Sequence, residues 1–547
     1  MKLAIALLDA LNRYGAEEIF GIPGDFALPF FKEIEASNIL PLHTLSHEPA
    51  VGFAADAAAR YRGTIGVACV TYGAGALNMI NPVATAYSEK SPLVIISGAP
   101  GTDERNFRFG LHHQVKHLDS QMMIMKEVTC AQCVLDDPET APMEIARVLT
   151  AARTLTRPVY IELPRNMVSA ETVRVPDFKN IAPDFEAVNA AAQATLTALK
   201  SAKKPTLMLG VEIRRFGLED AVTALSEKLR IPAVTSFMGR GIMAETGAPV
   251  AGTYLGLAGE ENVRELVERS DGLLMLGVIM SDTNFGVSKR ELDMRHIVHA
   301  IDGDVRFAHH AYANIPISDF VDALLKIAEP IGDAQPAPAT YNTGIAEPDD
   351  QIMPADVAAI VSRFLETHPD TPIASDMGDC LFTAMDMKHA PLVAPGYYAT
   401  MGTGIPFGIG LEIASGKRPL VLVGDGAFQM TGWELGNAKR LGIKPVVLLF
   451  NNAAWGMLKA FQKDTLYNDL DDWNFAELAP KMGGKGKRVS TPREFETALR
   501  NAMQDESSFQ LIEIMLPSDA MSDTLRRFTT TIAQRSALSG DTTSNAA

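Results

Sequence analysis

Two short stretches late in the chain place oxygen donors on tight turns: Gly424-Asp425-Gly426 and, after 24 intervening residues, Asn451-Asn452. Val421-Leu422-Val423 and Val446 to Phe450 read as buried strands ending at those turns, since both are short apolar runs rich in β-branched residues. As neighbouring parallel strands they would set Asp425 and Asn452 side by side at their carboxyl ends. A carboxylate, an amide oxygen and a following main-chain carbonyl form a hard, all-oxygen donor set. That set suits Mg2+ shared with a diphosphate. The flanking glycines allow a sharp turn and close approach of backbone to a ligand. A helix predicted from about Gln429 to Leu441 would aim free N–H groups at the same place.

Further acids and imidazoles lie early in the chain. Phe20-Gly21-Ile22-Pro23-Gly24-Asp25 puts an acid on a Gly/Pro turn after a strand. His47-Glu48 opens a small-residue helical stretch, Pro49 to Arg60, and His112-His113 are adjacent. Cys130 and Cys133 have metal-like spacing, but no second pair or nearby His set completes a zinc site, so the segment is assigned to a strand or its flank.

The elements that must position these groups alternate short apolar strands with longer helical patterns, the mark of parallel α/β sheets. Strands are predicted at Glu18–Ile22, Thr64–Thr71, Leu93–Ser97 and Val159–Leu163, then at Thr206–Gly210, Ala233–Ser236, Gly272–Gly277 and Ile297–Ile301. A Pro-bearing linker from Glu329 to Pro354 precedes a third set at Ile373–Ser375, Leu420–Val423, Val446–Phe450 and Leu511–Ile514. The expected fold is α/β, with three doubly wound domains and mainly parallel sheets: residues 1–167, 187–330 and 355–530, followed by a fraying tail at 531–547.

Composition sets the bounds. The 547 residues suffice for about three or four domains, and 47% hydrophobic with 21% charged residues is ordinary for a soluble protein. A net charge of −17 excludes a phosphate-binding basic face, so no nucleic-acid partner is expected. No apolar run is long enough to span a membrane, and Met1 to Leu11 reads as an amphipathic helix rather than a signal peptide. Four cysteines fit a reducing cytoplasm.

Taken together, GDG with NN, GIPGD, HE, Thr71-Tyr72-Gly73-Ala74-Gly75, Ile96-Ser97-Gly98-Ala99-Pro100 and Ala399 to Pro406 resemble the thiamine-diphosphate enzymes, from about Leu3 to Phe528 and in the family's domain order. The resemblance implies a pyrimidine-binding first domain, a middle domain and a diphosphate-binding third domain. Glu48 matches the carboxyl group that hydrogen-bonds the aminopyrimidine and helps it take a proton from the thiazolium. Such a group is expected to be buried, which would raise its pKa. Thr71, Asp379, Gly426 and Ala427 fall at cofactor-binding positions. Met401 matches the side chain wedged between the two rings, and the Ala399 carbonyl is a candidate acceptor for the 4′-amino group. Asp425, Asn452 and the main-chain carbonyl of Ala454 match the Mg2+ ligands. In such enzymes one subunit binds the pyrimidine and another the diphosphate, which implies at least a homodimer and often a homotetramer.

His112-His113 resembles the paired histidines of 2-keto acid decarboxylases. Groups titrating near neutrality, with Asp25 beside them, can pass a proton to the carbon that has lost CO2 before aldehyde leaves. Leu458 departs from the pattern, because pyruvate decarboxylases usually carry Glu six residues beyond the second Asn. Asp282, after the strand-like Gly277 to Ser281, is a candidate acid from the middle domain. Leu458, Phe461, Met377, Phe382 and Phe528 are candidates for an apolar substrate pocket. The sequence is most similar to phenylpyruvate and indolepyruvate decarboxylases. Benzoylformate- or branched-chain-type decarboxylation, an acetolactate-type carboligase and an inactive cofactor-binding regulator remain alternatives. The middle region lacks the G-x-G-x-x-G that would cradle a dinucleotide such as FAD.

Overall fold

The computed structural model describes residues 1–106, 110–179, 182–284, 292–332, 338–345, 347–462 and 465–539. They form two compact units, the first made of Met1–Ile181, Ile405–Lys417 and Trp433–Ile443, the second of the remainder.

The first unit holds a six-stranded, wholly parallel sheet: β1 (Ile19–Gly21), β2 (Leu42–Thr44), β3 (Gly66–Val70), β4 (Leu93–Ala99), β5 (Ala131–Val134) and β6 (Val159–Pro164), in the order β2-β1-β3-β4-β6-β5. Every residue of β3, β4 and β6 is buried, as a parallel sheet covered on both faces requires. The expected first helix spans Leu3–Arg13. Cys133 lies in β5 with Cys130 just before it, and all four cysteines are free.

The second unit contains two sheets. One comprises β7 (Pro205–Leu209), β8 (Ala233–Ser236), β9 (Thr253–Tyr254), β10 (Gly272–Leu276), β11 (Ile297–Ile301), β12 (Asp304–Phe307) and β13 (His310–Tyr312). Its order is β13-β12-β11-β10-β7-β8-β9, parallel except for the hairpins at β12 and β13. The other comprises β14 (Ile373–Ser375), β15 (Leu392–Val393), β16 (Leu420–Gly424), β17 (Val446–Asn451), β18 (Lys485–Val489) and β19 (Gln510–Met515), all parallel, in the order β15-β14-β16-β17-β19-β18. Counted from its own first strand, this sheet repeats the 2-1-3-4-6-5 order of the sheet in the first unit. In both, strand order reverses between the first and third strands, and crevices for ligands open at the carboxyl ends beside such a reversal.

Three expectations need correction. The strand at Gly272 stops at Leu276, because Gly277 turns away with φ +64°, so Gly277 to Ser281 is not a strand. The helix expected from Gln429 starts at Asp425 and runs only to Thr431, followed by a 3-10 stretch to Asn437 and a short helix to Leu441. The tail expected at 531–547 starts inside the last helix, which spans Asp523–Ser539, and residues 540–547 lie outside the described ones.

The helix Glu48–Arg62 explains its own composition. It is buried along nearly its whole length, and its alanines let backbone approach backbone. A Cβ added at Gly66 of β3 would lie 2.1 Å from the Ala55 carbonyl oxygen, and one at Gly410 would lie 2.1 Å from that of Ala54. Larger residues there would lift the helix off the sheet and move Glu48, its first residue. No helix among the described residues is long and apolar enough to cross a membrane.

Candidate active site

In the first unit the candidate residues lie on the segments that follow β1, β2, β3 and β4. Glu48 opens its helix, and its Oε2 accepts a hydrogen bond from Asn78 Nδ2 at 2.9 Å. Gly75 leaves room beside it, because an added Cβ would be 3.1 Å from the Thr71 methyl and 3.5 Å from Glu48 Oε1. The expected burial of Glu48 is not found in the single chain, where it is half-buried. The first turn of a helix leaves its side chains at the rim of the sheet.

Asp25 and His112 hydrogen-bond through Oδ2 and Nε2, and Thr71 Oγ1 donates to Asp25 Oδ1 at 3.3 Å. His113 Nδ1 lies 3.0 Å from the Tyr72 carbonyl oxygen. Burial would push the Asp25 carboxyl up, but the His112 hydrogen bond, the Phe26 N–H and the charge of both imidazoles outweigh it and hold the pKa below the usual value. Buried Phe26 supports the group: the His112 ring stacks on it at 4.7 Å and the His113 ring meets it edge-on at 6.1 Å. Ligand atoms of Asp25, His112 and His113 all fall within 4.8 Å of one another: Asp25 and His112 are in direct hydrogen bond, and His113 is at the distance one bridging water spans.

In the second unit, β16 and β17 are paired in register, Gly424 opposite Phe450, so Asp425 and Asn452 leave adjacent strand ends as expected. Asp425 is buried. Its Oδ1 accepts the Gly426 N–H at 2.8 Å, while Oδ2 is buried with no hydrogen-bond partner among the described residues. Burial pushes its carboxyl up to about 6, against the pull of the Gly426, Ala454 and Ala453 N–H groups. Ala453 takes φ +49°, a conformation uncommon outside Gly, and Asn452 Oδ1 accepts the Ala454 N–H at 3.2 Å. Gly426 brings backbone against the Trp455 ring, where an added Cβ would be 2.3 Å away. A buried carboxylate oxygen without a partner, beside an amide oxygen on a strained turn, is a donor set that a divalent cation would satisfy. The residues therefore fit Mg2+ and a diphosphate. The Ala454 carbonyl is already shared, accepting the Gly456 N–H at 2.8 Å.

The two asparagines divide their work. Asn451 ties the turn to the sheet, donating to Glu513 Oε1 at 2.7 Å while its Oδ1 accepts the Ala453 N–H at 3.1 Å, and Asn452 follows it on the turn. Asp379 also has partners, since Ser522 donates to both its carboxylate oxygens, and burial lifts its pKa to about 6.

Asp376, not singled out from sequence, organises the remaining segment. Fully buried, it takes the N–H groups of Met377 at 2.9 Å and Gly402 at 3.0 Å on Oδ1, and that of Gly404 at 2.6 Å on Oδ2. It thereby clamps the loop carrying Ala399, at φ +59°, and Met401, which packs half-buried against the core. Sequence shows two acids in Asp376-Met377-Gly378-Asp379; the distinguishing signal is that Asp376 directly follows Ser375, the last residue of β14.

Burial pushes Asp376 from its ordinary 3.8 up to about 7. A raised carboxyl pKa stabilises the fold fully below about pH 4, and that contribution is lost as pH rises through about 7. Asp376→Asn removes the titration. The Tm difference, wild type minus variant, is therefore expected to fall between pH 5 and pH 8, at about 1.4 kcal/mol per pKa unit displaced. Thermal melts across that range check it, and a flat difference would refute the assignment.

Met377, Phe382, Phe461 and Phe528 come together in one apolar cluster. Phe528 lies 6.3 Å from Phe382 and 6.1 Å from Phe461, and Phe237 from the middle sheet stacks on Phe382 at 6.3 Å. Leu458, one turn before Phe461, is 56% exposed and does not join it. Asp282 is exposed, capping the Thr283 N–H at 2.8 Å.

Comparison with known proteins agrees with this layout. Family models for the thiamine pyrophosphate enzymes match residues 1–124 (N-terminal TPP binding domain), 192–326 (central domain) and 376–514 (C-terminal TPP binding domain). The chain is 57% identical over 532 residues to an indole-3-pyruvate decarboxylase of Azospirillum brasilense, covering 96% of this chain and 98% of that protein. It is 28% identical to alpha-keto-acid decarboxylases of Mycobacterium tuberculosis, over 93% of both chains, and of Mycobacterium avium, again over 93% of both. The family models and the full-length likeness lead to one conclusion: the chain belongs to the thiamine pyrophosphate-dependent decarboxylase family.

Proposed function

We propose that the protein converts aromatic 2-keto acids, such as indole-3-pyruvate and phenylpyruvate, to the aldehyde and CO2, using thiamine diphosphate and Mg2+. The observation that carries the substrate class is the aromatic cluster of Phe237, Phe382, Phe461 and Phe528 beside the phosphate-side loops. The likeness to the Azospirillum indole-3-pyruvate decarboxylase supports it, as does Leu458 where pyruvate decarboxylases usually carry Glu.

When bound, thiamine diphosphate supplies a nucleophilic carbon and a sink for the electron pair left by departing CO2. Asp425, Asn452 and the Ala454 carbonyl would hold its diphosphate through Mg2+, with Gly426 and Ala427 at the same turn. Ala399, Met401 and Thr71 would meet its rings. Asp376 acts by holding the Ala399–Gly404 loop, whereas Asp379, with Ser522 on both oxygens, joins the last helix to the loop after β14. Glu48 would hold a proton toward the pyrimidine, with the Asn78 amide fixing its carboxylate. His112 and His113 would deliver one proton to the carbon that lost CO2, so that keto acid anion plus H+ becomes aldehyde plus CO2. Asp25 orients His112 and keeps its charge available. Asp282 is the candidate acid of the middle domain. A dry apolar wall beside the departing carboxylate favours dispersal of its charge.

The domains are assigned as pyrimidine-binding (1–167), middle (187–330) and diphosphate-binding (355–530), in a homodimer that pairs into a homotetramer. The half-buried Glu48 is consistent with a wall supplied by a second subunit. Four free cysteines support a reducing cytoplasm as the compartment.

Steady-state rates on a panel of 2-keto acids test the substrate class. The expected kcat/KM for indole-3-pyruvate and phenylpyruvate exceeds that for pyruvate by about a hundredfold, the scale that contacts in an apolar pocket provide. Preference for pyruvate would reject it.

A further inference from the structure

Behind the imidazole pair lies a buried polar network that the reaction as described does not use. Gln121, only 1% exposed, follows the first residue of the helix Ser120–Lys126 and points toward the sheet. Its Nε2 donates to Ser97 Oγ at 3.1 Å on β4, to Tyr160 OH, and to Glu162 Oε1 at 3.3 Å on β6. Tyr160 OH donates to the same Glu162 oxygen at 2.9 Å. Ser97, Tyr160 and Glu162 are all buried. A network of this kind has no stabilising advantage over apolar packing of equal volume, so its polarity calls for another explanation.

The explanation lies in the bond that joins it to the loop after β3. With the two N–H groups of its amide shared among three surrounding oxygens, Gln121 presents Oε1 in a fixed direction, and Oε1 accepts the Gly73 N–H at 2.6 Å. Gly73 has φ +65°, and a Cβ there would stand 2.0 Å from the His113 carbonyl oxygen, so the loop runs against the His113 backbone. The residue before it, Tyr72, offers its carbonyl to His113 Nδ1. A carbonyl only accepts, so Nδ1 carries the hydrogen, and Nε2 is the nitrogen left to take and give the catalytic proton. His113 itself holds φ +67°, a conformation its surroundings must enforce.

We propose that Gln121, anchored by Tyr160 and Glu162, is a positioning residue for proton delivery, fixing the tautomer and placement of His113 through the Tyr72–Gly73 loop. It rests on the assignment of His113 to proton delivery, and the experiment separates the two. In Gln121→Ala, kcat for phenylpyruvate should fall about thirtyfold with KM changed less than about threefold, because a misplaced proton donor slows chemistry without weakening substrate binding. The exchange Gln121→Glu with Glu162→Gln keeps an oxygen for Gly73 and one amide facing one carboxylate. It should recover kcat to within about fivefold of wild type, while Gln121→Glu alone should not. In a His113→Ala background, Gln121→Ala should lower kcat by less than about twofold further, since residues acting as a unit are not additive.

A normal kcat in Gln121→Ala beside an impaired His113→Ala enzyme overturns the proposal while leaving His113 in place. A normal His113→Ala enzyme removes both. Full additivity of the two substitutions, or an exchange variant no better than Gln121→Glu, also overturns it. Should Gln121→Ala fail to fold, the exchange and its single-substitution control still decide.

Discussion

Glu48→Gln is expected to lower kcat by about a thousandfold or more while leaving the cofactor bound, the range that acid–base groups contribute. The amide keeps the shape and the hydrogen-bond reach of the side chain, and Asn78 can still support it, now as acceptor or donor. It cannot exchange a proton with a ring nitrogen, so the step that prepares the reactive carbon loses its driving group. With Asp425 and Asn452 assigned to the other end of the cofactor in the proposed function, affinity should change by less than about tenfold. Isothermal titration with thiamine diphosphate and Mg2+, alongside steady-state turnover, makes the distinction. Near-normal turnover would remove Glu48 from the chemistry, and loss of binding would make it an anchor instead.

Asp425→Asn carries the second large effect, with opposite signs in two measurements. The wild-type carboxylate is buried with Oδ2 lacking a partner, an unfavourable arrangement in the cofactor-free chain. A neutral amide relieves part of that, so the cofactor-free variant is expected to melt higher than wild type at pH 8, by roughly 1 kcal/mol or more. If Asp425 holds Mg2+ as proposed, the same change removes a charged ligand and should weaken cofactor binding by about a hundredfold, the scale of one charge-assisted contact. Differential scanning calorimetry and titration check both halves. A cofactor-free variant melting below wild type, with affinity unchanged, would show that the turn is structural only.

How much of this was legible in sequence depends on the kind of residue. Apolar runs placed most central strands to within a residue or two, because short, β-branched-rich runs bounded by turn residues are too short for a buried helix. Edge strands such as β18, Lys485–Val489, escaped notice: their exposed lysines follow the rule that edges are charged rather than apolar. The shared strand order of the first and third sheets was invisible too, since topology depends on which strands pair, not on their composition. Among site residues, Asp425 and Asn452 stood out because two strand ends and two glycines framed them. Asp376 and Gln121 did not, because a buried carboxylate clamping main-chain N–H groups and an amide behind a loop resemble any other polar residue until the fold supplies their partners. The burial expected of Glu48 also came from chemistry rather than geometry, and the single chain leaves it half-buried.

The central claim is that one thiamine diphosphate is gripped by Glu48 of one polypeptide and by Asp425 with Asn452 of another. Co-expression of Glu48→Gln and Asp425→Asn chains under two affinity tags, followed by purification of the mixed dimer, tests it most directly. Each parent is expected to be inactive. The mixed dimer has one site with both halves intact and one with neither, so about half of the wild-type activity should return. A mixed dimer as inactive as its parents would contradict the account, because each site would then draw both halves from a single chain.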